Sequence, residues 1–148
     1  MWNESKAKGF SLIELLIVVG IILILASLAI PNFMRARRSA NEASAVGSLK
    51  AIASGQLIYR HTQGVYADLN KLNQDTIVDS VLGSGSKSGY VFDSAAGTSP
   101  DLEFTATAEP TVSTGWTATG NRFFYVDETQ VIRFKVGGSA DSTSSPLD

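Results

Sequence analysis

The sequence predicts an α+β fold: a long N-terminal α-helix, transmembrane in its first half, with a four-stranded antiparallel sheet packed on its C-terminal half. Three observations predict it. Residues 10–30 are apolar almost throughout, small and apolar residues recur at three- and four-residue spacing from Ala36 to Leu57, and four short segments between Gly89 and Val136 read as strands. The chain has 148 residues, room for a single hydrophobic core.

The helix comes first. A hydrocarbon layer takes about 20 apolar residues in helical form, and a secretory signal peptide has an apolar region of only about 7 to 15. Residues 10–30 match the former. Lys6 and Lys8 precede the span while Arg35, Arg37 and Arg38 follow it, so charge counting does not orient it. Its one carboxylate is Glu14. An acidic side chain at mid-membrane costs about 2 to 3 kcal/mol and so calls for a partner. At headgroup depth the same carboxylate is cheap, and that alternative stays open. Gly20 and Pro31 are expected helix breaks, because glycine costs about 1 kcal/mol against alanine and proline deletes a backbone hydrogen bond. A plain kink at Pro31 is the alternative.

Residues 31–63 continue the helix in amphipathic form. Ala36, Ala40, Ala43, Val46, Leu49, Ala53 and Leu57 fall on one face, small upstream and larger downstream. Val46, Leu49, Ile52 and Leu57 are expected beneath a globular head. From Ser11 to His61 such a helix would measure about 75 Å. Arg35, Arg37 and Arg38 read as a solvated or headgroup-facing collar. Residues 64–88, rich in glycine, serine, asparagine and aspartate, form a connecting loop in which 65–72 and 77–82 are apolar enough for helical turns. Residues 89–136 hold the strands: 89–93, 102–109, 122–126 and 131–136, the last two joined by a turn at 127–130. The serine-rich residues 137–148 are expected to be a flexible tail.

Composition narrows function by exclusion. Twelve Lys and Arg against fourteen Asp and Glu give a net charge of -2, with no basic face for nucleic acid. Cysteine is absent and His61 is the single histidine, so neither a thiol nucleophile nor a cysteine-based metal site is possible, and no phosphate loop or His-Glu-x-x-His spacing occurs. His61 reads as a cap or surface residue. The chain is expected not to be an enzyme, to use no cofactor and to hold no metal.

Lys8-Gly9-Phe10-Ser11-Leu12-Ile13-Glu14, followed by the apolar run and Pro31, resembles the class III processing motif of bacterial type IV pilins and type II secretion pseudopilins. The Ser-Gly-Tyr, Ala-Glu-Pro and Gly-Asn-Arg-Phe-Phe pieces resemble those of cysteine-free pilins. The resemblance implies a leader, residues 1–9, removed by a prepilin peptidase between Gly9 and Phe10, and N-methylation of Phe10. It implies residues 10–30 as the transmembrane and filament-core helix, with Glu14 pairing with the N-terminal amine of a neighbouring subunit. The implied partners are copies of the chain itself, the peptidase, an inner-membrane platform, an assembly ATPase and, in a Gram-negative host, a secretin. The implied location is the inner membrane, N-terminus cytoplasmic, before assembly and an extracellular filament afterwards. A type II secretion pseudopilin is the alternative, and a monomeric membrane-anchored binding or sensor domain a further one. By the same resemblance Asp127 and Glu128 in the hairpin, with Asp141 downstream, could bind calcium as the C-terminal region of the major pseudopilin does; against that, acidic residues in hairpin turns are usually just solvated and calcium takes six to eight oxygens.

Overall fold

The computed structural model describes residues 9–147. The leader expected at 1–9 therefore lies outside the described residues except at Gly9. The chain divides into two compact units, Met1–Arg35 and Ala36–Asp148. Helix α1, Leu12–Gln63, runs through both.

In the first unit α1 is apolar on all sides. The most apolar 18-residue stretch has a mean hydropathy of 3.0, and nothing among the described residues buries it. A helix apolar all round is one that something else must cover. The breaks expected at Gly20 and Pro31 are absent: α1 passes through both, with Pro31 inside it. Proline lacks one N–H and so disturbs chiefly the carbonyl four residues back. That carbonyl is Ser27's, a single acceptor in a helix of 52 residues; nearby, Ser27 Oγ donates to Ile24 O at 2.7 Å and Asn32 Nδ2 to Leu28 O at 3.2 Å. One glycine costs too little to end a helix of this length.

The second unit holds the core. After α1 come two short helices, α2 (Leu69–Gln74) and α3 (Ser80–Gly83). Each is capped by an aspartate in extended conformation: Asp68 accepts from the Lys71 N–H and Asp79 from the Leu82 N–H. Six strands follow: β1 Ser86–Lys87, β2 Tyr90–Ala96, β3 Phe104–Pro110, β4 Arg122–Asp127, β5 Arg133–Val136 and β6 Ser145–Pro146. They form one antiparallel sheet in sequence order. The four expected strands are β2 to β5. The two extra ones, two residues each, are too short to show alternation. Ser88 and Gly89 both take positive φ, 51° and 74°, so they make a two-residue hairpin turn and the strand starts at Tyr90 rather than Gly89.

Alternation sets which side of the sheet is covered. Tyr90, Phe92 and Ser94 of β2 are buried, as are Phe104, Ala106 and Ala108 of β3 and Phe124 and Val126 of β4. They pack with Ala45, Leu49, Ile52, Ala53 and Tyr59 of α1. Leu49 and Ile52 lie where expected, but Leu57 is 44% exposed, Val46 is only half-buried, and Ala36, Ala40 and Ala43 face outward. The buried stripe is displaced by about one residue because it includes Glu42, Ser48 and Gln56, polar side chains that hydrophobicity counts against. The tail also departs from expectation. Residues 145–146 pair with β5, the Leu147 N–H donates to Ile132 O at 2.8 Å, and Leu147 packs against the core. Backbone pairing places this segment, and serine content does not report it.

Candidate functional site

Two sets of residues carry the chemistry, one in each unit. In the first, Gly9 and Phe10 precede the helix and are exposed, Phe10 to 78%. A Cβ placed on Gly9 would meet nothing within 4 Å among the described residues. Ser11 follows as the N-cap, its carbonyl accepting from Leu15 N at 3.2 Å. Glu14 reaches back, and its Oε2 accepts from the Ser11 N–H at 2.9 Å. This is the acidic half of a capping box, one orphan donor of the first turn met by the carboxylate three residues on. The geometry brings Phe10, Ser11 and Glu14 together at one helix end. Glu14 is exposed and its second oxygen is unengaged among the described residues.

In the second unit, α1 holds the irregular segment 111–121 between β3 and β4. Arg38 Nε donates to Ala118 O at 3.2 Å, and its Nη2 to Gly115 O at 2.7 Å and Trp116 O at 3.2 Å. Asn41 Nδ2 donates to Thr119 O at 2.9 Å. The buried carboxylate of Glu42 accepts from the Asn121 N–H at 2.9 Å and from Arg122 Nε at 2.7 Å. The Arg122 guanidinium also lies over the rings of Phe124 and Phe134. Burial, and then the Glu42 charge, push the Tyr90 hydroxyl above its ordinary range, and it donates to Arg122 O at 2.9 Å. Gly120 is required here, since a Cβ would collide with the Tyr90 ring. Gln56, fully buried, closes the other end of the head: its Nε2 donates to Ala67 O and Ser94 Oγ, and its Oε1 accepts from the Ala67 N–H.

The arginine collar is thus corrected at one member. Arg38 is a loop anchor, while Arg35 and Arg37 are exposed. Spacing Arg38, Asn41 and Glu42 at three and one residues puts them on one helical face, the one signal the sequence held. Their partners lie 77 to 80 residues away, beyond local reading. His61 is exposed near the end of α1. The Asp127 carboxylate accepts from Thr129 N and Oγ1, and Asp141 from Thr143 N and Oγ1 and from Ser144 Oγ. The Thr143 hydroxyl bond is the main reason the Asp141 carboxyl is lowered. Among the described residues no cluster of three metal-ligating side chains occurs.

A carboxylate at the first turn of an uncovered apolar helix that leads into a self-contained α+β head defines the class of proteins built as an apolar helix carrying a separate head. Residues 5–30 match the model of the prokaryotic N-terminal methylation motif. The chain is 33% identical over 143 residues to the type IV major pilin protein PilA of Myxococcus xanthus, which takes in 93% of this chain and 63% of that one. It is 31% identical over 73 residues to the competence protein ComGC of Streptococcus pneumoniae, 49% of this chain and 68% of that protein. It is 29% identical over 95 residues to the type II secretion system core protein G of Escherichia coli, 62% and 66% respectively. The chain thus spans somewhat under two thirds of the length of the Myxococcus pilin. It belongs to the type IV pilin and pseudopilin family.

Proposed function

We propose that the chain is the structural subunit of a type IV pilus, cut between Gly9 and Phe10, N-methylated on Phe10, and polymerised through its N-terminal helix. The observation that carries this reading is the exposed Gly9–Phe10 junction set before an apolar helix that none of the described residues covers. Before assembly residues 10–30 span the inner membrane, with the N-terminus cytoplasmic, and the bilayer covers them. Prepilin peptidase removes the leader, an inner-membrane platform and its ATPase extract the subunit, and a secretin passes the filament if the host is Gram-negative.

Neighbouring copies then replace lipid. Cleavage turns the amide of Phe10 into an amine that carries positive charge, and methylation keeps that charge. Glu14 has one oxygen committed to Ser11 N–H and another free to accept. A carboxylate entering an apolar core is tolerated when an opposite charge lies within about 4 to 6 Å. The Phe10 amine of an adjacent copy meets that requirement and sets the stagger between subunits. Ala36, Ala40 and Ala43, outward-facing and small, allow helices to approach closely.

Similarity to core protein G supports a second reading, a type II secretion pseudopilin whose filament stays in the periplasm. Intact mass spectrometry of material sheared from cells, beside the membrane fraction, separates the two. A sheared species beginning at methylated Phe10 is the expected result. A processed species confined to membranes gives the pseudopilin, and an uncut chain found in membranes alone overturns both.

A further inference from the structure

We propose that the 111–121 segment is a membrane-surface foot: before assembly, Trp116 seats in the headgroup layer of an anionic bilayer, with Arg37, next in sequence to the loop's anchor Arg38, as a cation for its headgroups. The proposal rests on residues 10–30 spanning the membrane. An eleven-residue connection without regular structure is ordinarily a mobile surface loop. This one is held by Arg38, Asn41 and Glu42 through five side-chain bonds to its backbone, and tied across its base by the Thr119 N–H, which donates to Val112 O at 2.8 Å. Ordering a backbone has an entropic cost that needs a return. What the held loop displays is apolar: Trp116 is 59% exposed and Val112 38%. The Gly115 backbone, at φ 81°, makes the turn just before the indole.

The choice of occupant follows from position along the chain and from charge. Arg38, to which Trp116 is tied by its carbonyl, comes eight residues after Ile30, so the connecting chain cannot stretch beyond about 28 Å. Covalent connection alone thus keeps the loop's anchor within that reach of the end of the apolar segment. Tryptophan, apolar in its ring and polar at its N–H, is enriched at that depth of a bilayer. Arg37 is exposed and makes no ion pair among the described residues, a cation available to anionic headgroups. A pinned indole and a free guanidinium one residue from its anchor fit a lipid surface. A second copy of the chain is the rival occupant, and the experiment tells them apart.

The test uses the full chain carrying Trp2→Phe, which leaves Trp116 as the only tryptophan of two. It is reconstituted in vesicles of phosphatidylcholine with phosphatidylglycerol, and resistance to alkaline extraction is recorded on the same sample. The expected result is blue-shifted Trp116 emission, quenched by lipids brominated near the headgroups and shielded from iodide. Arg37→Ser, or omission of phosphatidylglycerol, should cut the lipid-quenched fraction about fivefold at most. Arg38→Ala, which frees the loop, should also lower it while the far-ultraviolet dichroism is unchanged. An embedded chain whose Trp116 remains open to iodide and untouched by brominated lipid overturns the proposal and leaves the membrane span intact. So does protection of Trp116 that appears only in sheared filaments, which would make the loop a contact between copies. Extraction by alkali overturns the span itself, and the foot with it.

Discussion

Glu14 and Glu42 lie on the same helix and show how differently its two halves are built. Glu14 is exposed, with one backbone hydrogen bond at the head of a helix nothing covers. Glu42 is buried, with a backbone N–H and a guanidinium both bonded to it. The first half is an unfinished surface whose partner must come from outside the chain. The second is complete, its partners brought in from 77 to 80 residues downstream. Identical side chains thus sit in opposite settings, and the assembly role proposed for Glu14 can be separated by mutation from the stabilising role of Glu42.

The sharpest separation comes from Glu14→Leu. It should abolish surface filaments while membrane insertion, cleavage and the thermal unfolding of the head remain as in the parent, measured by shearing assay, mass spectrometry and near-ultraviolet dichroism in detergent. Normal filaments in this variant would break the comparison. Glu42→Ala should do the reverse, lowering head stability by about 2 to 3 kcal/mol in chemical denaturation, because Arg122 and the Asn121 N–H lose their acceptor. The figure sits below that of a fully buried pair because the Arg122 side chain is 37% exposed. Deleting residues 145–148 removes β6 and the Leu147 contact, an expected loss of about 1 to 2 kcal/mol by the same measurement.

The smallest effect concerns acid. Asp79 caps α3, and the Leu82 N–H followed by Lys87 holds its carboxyl below the ordinary value of 3.8. A depressed carboxyl stabilises the fold above the unfolded value and loses that contribution as pH falls through the folded one. Asp79→Ala should therefore cost about 1 kcal/mol at neutral pH and progressively less below pH 3.8. Equal loss at both pH values would show that the cap acts by shape alone.

How much of this was legible depended on where the deciding contacts lay. The apolar run, the motif from Gly9 to Glu14 and the alternation of β2 and β3 are local patterns, and the strands lie within a few residues of where the sequence placed them. The buried stripe of α1 was misplaced because Glu42 and Gln56 are polar in isolation and become core residues only once Asn121, Arg122 and Ala67 arrive. The same holds for Arg38, read as one of three collar cations until the carbonyls of Gly115, Trp116 and Ala118 close on it. Gly20 and Pro31 illustrate the opposite error, in which intrinsic propensity is overridden by fifty residues of continuous helix.

The sheet ends at both sides in strands of two residues, β1 and β6. A long unpaired edge would offer its N–H and C=O groups to the edge of any neighbouring head, and a crowd of subunits in one membrane is where such pairing would run away into aggregate. Here β1 covers only Tyr90 and Val91 of β2, and β6 only Arg133 and Phe134 of β5, so each flanking strand shortens the open edge without closing it. In the assembly proposed above, such short flanking strands leave the uncovered helix, rather than the sheet, as the surface a neighbouring copy would cover.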